Sequence, residues 1–338
     1  MEVYCLASTI RDVAAFAGLS VGTVSKYING YKVKEPTRKA IEYAIKELDF
    51  HPNNIAKGLR NARSFSIAIL LPMLESNFCT SMISSIESCL LPAGYSVIVC
   101  ECHNNAKMEL LKTQFLIDRM VDGIILIPFA LDGKQIELIQ KSNIPLVVLD
   151  QKIADHETDS IVLDNFFAGY APTKHLIELG HKDIAFLMGA PNHYTTKGRL
   201  GGYQKAMSEN NLPVPDSFIQ CGNYTIDGGY EAMLKLWKLK KKPTAVFVSN
   251  YDMTIGAYLA INYLKLKIPE EISVIGFDNF PLANVVNPPL TFAEQPLDAM
   301  GLDAGKLLFK RIKGDYSDYP QTIVHEPTIY YKESIHSL

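Results

Sequence analysis

The chain has 338 residues, 48% hydrophobic and 20% charged, a size that implies two or three domains with ample core and a composition that excludes disorder for most of it. Its longest apolar runs, residues 67–72 and 124–130, fall far short of the ~20 residues of a bilayer span, so no membrane partner is expected. The net charge of −3 hides an asymmetry: residues 1–64 carry ten Lys/Arg and six Asp/Glu, or +4, which leaves −7 for the remainder. A basic head on an acidic body hints at nucleic-acid binding. Residues 1–10 hold Glu2 and no basic leader pattern, so a cytoplasmic location is expected. The six cysteines, with no disulfide-scaffold spacing, fit that compartment.

The head reads as three short helices. Thr9 can cap the first, with Asp12 three residues on, and Ile10, Val13, Ala14 and Ala17 form its apolar face. Gly18 is placed to end it in the left-handed conformation. Ser20 can cap a second helix, residues 21–28, that stops at Asn29-Gly30. A third helix is expected at about 37–49, with Ala40, Ile41, Ala44, Ile45 and Leu48 on its buried side. Two eight-residue helices around a Gly-containing turn match the helix-turn-helix plan. On the second, Val24 and Ile28 reach the core, while Val21, Gly22, Ser25, Lys26 and Asn29 point outward. These short or hydrogen-bonding side chains suit a major groove ~12 Å wide. Periodicity alone says no more than a small helical bundle with a polar face.

The stretches Thr9-Ile10-Arg11-Asp12-Val13-Ala14, Ala17-Gly18-Leu19-Ser20 and Thr23-Val24-Ser25-Lys26-Tyr27-Ile28-Asn29 resemble the head of the lac/gal repressor family. Glu47-Leu48-Asp49-Phe50-His51-Pro52-Asn53 and Ala56-Lys57-Gly58-Leu59 continue the resemblance. It implies that residues 21–28 are a recognition helix, with Val21, Gly22 and Lys26 at base-reading positions. Thr9, Ser20, Thr23, Ser25 and Asn29 fall at backbone-contacting or near-groove positions. Gly22 departs from the pattern, since that position often carries a reaching side chain.

Residues 51–64 form the expected hinge between a head at 1–50 and a core at 65–338. A helix of about seven residues is unstable alone, and Gly58 weakens it further. The resemblance implies that two such hinges in a homodimer enter the minor groove. Ala56 and Lys57 lie at the DNA, and Leu59 wedges a base step. Without the upstream motif this would read as a plain linker.

From residue 66 onward apolar β-runs alternate with helical patterns. Strands are expected at 66–71, 95–99, 123–127, 146–149, 184–188, 245–248 and 273–276. Such runs mean parallel sheets covered on both faces. The alternation restarts near Asp164, so the core is expected to be two doubly wound parallel-sheet subdomains. The resemblance implies a periplasmic-binding-protein-like core in which the chain crosses three times. One subdomain takes about 65–163 and 293–325; the other takes about 164–292 and 326–338. Pro172 falls inside a helix expected at 165–179 and should kink it.

Ligands of such sheets bind outside the strand carboxyl ends, here in the cleft between subdomains. The polar residues there are Asp150, Asn250 and Asp278, with Arg199 opening the helix after the strand that ends near Met188. Phe78 and Phe166 are candidate aromatic walls, with Tyr194 a weaker one. The resemblance places all four polar residues at effector-contacting positions. An Asp/Arg/Asn/Asp set supplies the donors and acceptors that a hydroxyl-rich sugar or sugar derivative requires. An acid usually follows the Asn directly in the family; here Tyr251 does, so helix capping there is expected to shift. Cys100-Glu101-Cys102-His103 is the one compact cluster, read as core packing since no second ligand pair is near, and no metal or cofactor is expected. No phosphate loop or nucleophile motif marks an enzyme. The expectation is a repressor of carbohydrate-use genes that binds double-stranded operator DNA. The alternative is a sugar-binding protein without a regulatory role.

Overall fold

The computed structural model describes residues 8–28, 30–50, 63–278, 283 and 285–338. The chain divides into two compact units, residues 1–64 and 65–338. The hinge residues Ala56, Lys57 and Leu59, and Asn29 of the head, lie outside the described residues.

In the first unit α1 spans Ile10–Phe16, α2 Val21–Ile28 and α3 Glu35–Glu47. The Thr9 side chain accepts from the Asp12 amide while the Asp12 carboxylate accepts from the Thr9 amide at 2.7 Å, a reciprocal cap on the first turn. Gly18, at φ +65°, turns the chain after α1. Ser20 Oγ then accepts from the Thr23 amide at 3.2 Å. Helix α3 starts two residues earlier than expected because Pro36 sits in its first turn, where a missing N–H costs nothing. Val13, Ala14, Val24, Ile41, Ala44 and Phe50 make one small core. The Tyr27 hydroxyl donates to Glu42, tying α2 to α3.

The second unit contains two six-stranded sheets. Strands β1 (Ser66–Leu71), β2 (Ser96–Glu101), β3 (Gly123–Leu126), β4 (Leu146–Leu149), β5 (Asp159–Leu163) and β11 (Thr322–His325) form the first, all parallel, in the order β11-β5-β4-β3-β1-β2. Helices α4 (Asn77–Leu90) and α11 (Leu297–Ile312) cover one face. Helices α5 (Ala106–Asp118) and α6 (Lys134–Lys141) cover the other. The second sheet has the order β12-β10-β9-β8-β6-β7 and is parallel except for the edge strand β12. Its strands are β6 (Ile184–Met188), β7 (Ile219–Cys221), β8 (Ala245–Val248), β9 (Ser273–Phe277), β10 (Thr291–Glu294) and β12 (Thr328–Tyr330). Helices α7 (Asn165–Glu178) and α8 (Tyr194–Glu209) pack on one face, and α9 (Ile226–Lys238) and α10 (Tyr251–Leu264) on the other.

Successive residues of a strand point to opposite faces, so Ile67 and Ile69 join the core under α4 while Ala68 and Leu70 join the one under α5. The chain passes between sheets three times: from β5 to α7, from β10 to α11 and from β11 to β12. Helix α7 runs on through Pro172, whose ring is buried. Cys100 and Cys102 are buried beside Leu70 and Leu116 in the sheet core. No helix among the described residues is long and apolar enough to cross a membrane.

Candidate functional site

On the head, α2 turns Val24 into the core and leaves Val21, Gly22 and Lys26 exposed, with Thr23 and Ser25 half-buried. The Thr9, Ser20 and Thr23 hydroxyls take part in the caps of α1 and α2, so they also fix where each helix begins. A Cβ added at Gly22 meets nothing nearer than Ser20 Oγ at 3.9 Å, so packing does not require glycine there.

In the second unit a cavity of about 370 Å³ lies at the carboxyl ends of both sheets, between their helices. Phe78 and Asp150 line it from the first sheet's side, and Arg199, Asn250 and Asp278 from the second's. Asp150 and Asp278 each follow a strand immediately and adopt left-handed backbone, at φ +65° and +67°. Burial pushes the Asp150 carboxyl up to about 7; the Arg199 charge opposes the shift and the Asp278 charge adds to it. Asp150 Oδ1 is closed off from solvent and has no partner among the described residues. Burial likewise pushes Asp278 up to about 6, against the Arg199 charge and hydrogen bonds from Gln295. The Gln295 Nε2 donates to both Asp278 oxygens at 3.1 Å.

Arg199 is 4% exposed. Its Nε donates to Asn165 Oδ1 at 2.9 Å and its Nη1 to the Ser249 carbonyl at 2.6 Å, and the guanidinium lies 3.7 Å from the Phe277 ring centre. It does not open α8 but sits in its second turn. Close approach of α7 and α8 carries it into the cleft. A Cβ at Gly169 would collide with the Arg199 backbone, and one at Gly202 with the Phe166 carbonyl.

Asn250 caps α10 itself, accepting from the Met253 amide at 3.1 Å, so the Tyr251 departure does not move the cap. Phe78 lies in the first turn of α4 rather than in the loop before it. Phe166 is not a cleft residue. As the second residue of α7 it is 48% exposed and stacks on Tyr170, one turn along the same outward face. Tyr194 does not line the cavity either.

Sequence reasoning missed Gln151, Tyr224, Asp252 and Gln295, all of which line the cleft. Gln151, 4% exposed, accepts from the Tyr194 amide. The Tyr224 hydroxyl bonds Thr195 and Thr196, and His193 meets the Tyr224 ring edge-on. Burial lowers the His193 pKa, which favours the neutral ring. Gln151 could have been found as the neighbour of Asp150. Tyr224 required recognition of the three-residue strand β7.

The family model "Bacterial regulatory proteins, lacI family" matches residues 9–53, and "Periplasmic binding protein-like domain" matches residues 173–335. The HTH-type transcriptional repressor PurR of Actinobacillus pleuropneumoniae serotype 3 (strain JL03) is 35% identical over 333 residues, covering 98% of this chain and 99% of its own. The lac repressor dimer bound to operator and the anti-inducer ONPF superposes with a TM-score of 0.87 at 25% identity, covering 98% of this chain and 100% of that one. A complex of the transcriptional regulator CelR with cellobiose gives 0.75 at 26% identity, covering 97% and 99%.

Proposed function

This chain belongs to the lacI family of bacterial regulatory proteins, and from that premise we propose that it is a cytoplasmic homodimeric repressor of carbohydrate-use genes, switched by a sugar or sugar derivative. It is a DNA-binding transcription regulator, not an enzyme. Val21 and Lys26 meet base edges, and Gly22 stands at the base-reading position between them with no side chain to contribute. Thr9, Ser20, Thr23, Ser25 and Asn29 serve the DNA backbone or the groove wall. Ala56, Lys57 and Leu59 act in the minor groove. Two heads read the halves of a near-palindromic operator.

The effector-binding residues are Phe78, Asp150, Arg199, Asn250 and Asp278. The observation that carries this reading is the cavity lined from both sheets, with a buried carboxyl oxygen on its wall that has no partner among the described residues. A ligand that bonds residues of both sides holds the subdomains at one separation. It thereby favours one of the two DNA-binding states by its difference in affinity for them.

The test is operator selection from random duplexes, followed by binding titrations with and without any sugar that raises the melting temperature. A shift in operator affinity with the stabilising sugar is expected. A sugar that stabilises the protein and leaves operator affinity unchanged would favour the sugar-binding protein without a regulatory role.

A further inference from the structure

A short run on the second unit carries a charge opposite to that of its surroundings. Residues 235–242 hold five lysines, Lys235, Lys238, Lys240, Lys241 and Lys242, and no acid, while the rest of the core sums to −12. All five are exposed. Lys235 and Lys238 lie in the last turn of α9, where a cation complements the helix dipole. The other three follow the C-cap residue Leu239, beyond the turn to which that effect is confined. Asp183 pairs with Lys241, and Lys242 donates to the Trp237 carbonyl while lying 4.7 Å from that ring's centre. Lys235, Lys238 and Lys240 make no hydrogen bond or ion pair among the described residues. Like charges gathered in this way repel one another unless an anion lies across them.

The run leads into β8 and its partner Asp183 immediately precedes β6, so the lysines stand at the amino ends of the second sheet. The cavity lies at the carboxyl ends, and none of the five lines it. The exposed Lys182 adds a further cation beside Asp183. The apolar residues of the segment turn inward: Leu236 is fully buried, and Leu234, Trp237 and Leu239 pack on the core. They leave nothing to enter a bilayer or to grip an apolar protein face. What reaches solvent is point charge on flexible stems, which suits a line of phosphates and reads no sequence. Duplex DNA is the polyanion at which the helix-turn-helix of the same chain concentrates this surface, so a weak contact suffices.

We propose that Lys235, Lys238 and Lys240, with Lys241 and Lys242 beside them, form a second, sequence-independent contact for duplex DNA, separate from the recognition helix and from the effector cleft. One protein then holds two duplexes, the operator through its heads and another through this surface.

The experiment is binding of the full-length protein to a labelled duplex of random sequence, followed by fluorescence anisotropy between about 50 and 200 mM salt. The triple variant Lys235→Gln, Lys238→Gln, Lys240→Gln is expected to bind about tenfold or more weakly at the low-salt end. Its slope of log K against log salt should be smaller by about 2–3, the loss of three phosphate contacts. Arginine at the same three positions is expected to preserve both values. Lys107→Gln, Lys134→Gln, Lys141→Gln, on α5 and α6, removes the same charge elsewhere on the core and is expected to leave the slope nearly unchanged. A wild-type slope in the first variant, a loss as large in the arginine variant, or a fall as large in the α5–α6 variant overturns the proposal. A second measurement uses wild-type protein seated on immobilised operator at one operator per dimer. It is expected to capture the labelled random duplex, and the first variant is not; absence of capture by the wild type also overturns the proposal.

Discussion

Lys26 stands exposed on α2 beside Val21 and Gly22, while Val24 of the same helix is fully buried. Lys26→Ala is expected to weaken operator binding by ~1–3 kcal/mol and to relax preference at one base pair per half-site, measured by competition with operator variants. Equal loss on every sequence would restrict Lys26 to phosphate. Gly22 has no neighbour that a methyl group would strike. Gly22→Ala should therefore stabilise α2 by about 1 kcal/mol, read as slower amide exchange in the head. In the cleft, the raised carboxyls of Asp150 and Asp278 have a stability consequence with a definite sign. An unfolded Asp titrates near ~3.9, so between about pH 4 and pH 7 the folded chain holds more protons than the unfolded chain at these two positions. Their contribution to stability is thus fullest below pH 4 and is lost as pH rises through 6 and 7. Asp150→Asn is expected to raise the melting temperature of the effector-free protein by several degrees at pH 8 and hardly at all at pH 4. An equal shift at both values would contradict the assignment.

At the scale of elements, α11 is pinned to β5 by a buried ion pair. Arg311 donates through Nε and Nη2 to the two Asp159 oxygens at 2.7 and 2.9 Å, and through Nη1 to Asp318 at 2.7 Å. Asp159→Ala leaves a buried guanidinium half-paired and is expected to cost about 3–5 kcal/mol in a urea unfolding titration of the full chain. A loss under 1 kcal/mol would mean that water or a rearranged Asp318 replaces the carboxylate. Neither partner stood out in the sequence, because the pair joins residues 152 positions apart. The innermost strands β1, β3, β4, β6, β8 and β9 were legible for the opposite reason, whereas β5 and β10 were not expected. Runs such as residues 67–71 and Ala245–Val248 are apolar throughout because helices cover both faces. Strands β7 and β12 have three residues each, and β11 alternates exposed and half-buried positions at a sheet edge, so none makes such a run. The site followed the same logic. Asp150 and Asp278 could be read as residues that follow apolar strands, and Arg199 as a charge near a strand end. Phe166 was misplaced because one step of helical phase turns a side chain from the cleft to solvent. Asp252 stayed hidden because it lies inside the first turn of α10 rather than directly after a strand.

The whole molecule joins a DNA-reading unit to a ligand-reading unit in one chain, as the full-length match to PurR and the lac repressor fold implies. If effector and operator favour different states of the protein, their affinities are coupled by one free energy, typically ~1–3 kcal/mol, and the coupling is reciprocal. The isosteric Asp278→Asn removes a carboxylate from the cleft and leaves the sequence of residues 1–64 unchanged. It is therefore expected to reduce the response to effector while the effector-free protein keeps its operator affinity. The most direct measurement of this account is a pair of titrations on the full-length protein: operator binding with and without saturating effector, and effector binding with and without saturating operator. Both affinities are expected to change by the same factor, roughly 5–150. Independent binding, with neither ligand altering the affinity of the other, would contradict it.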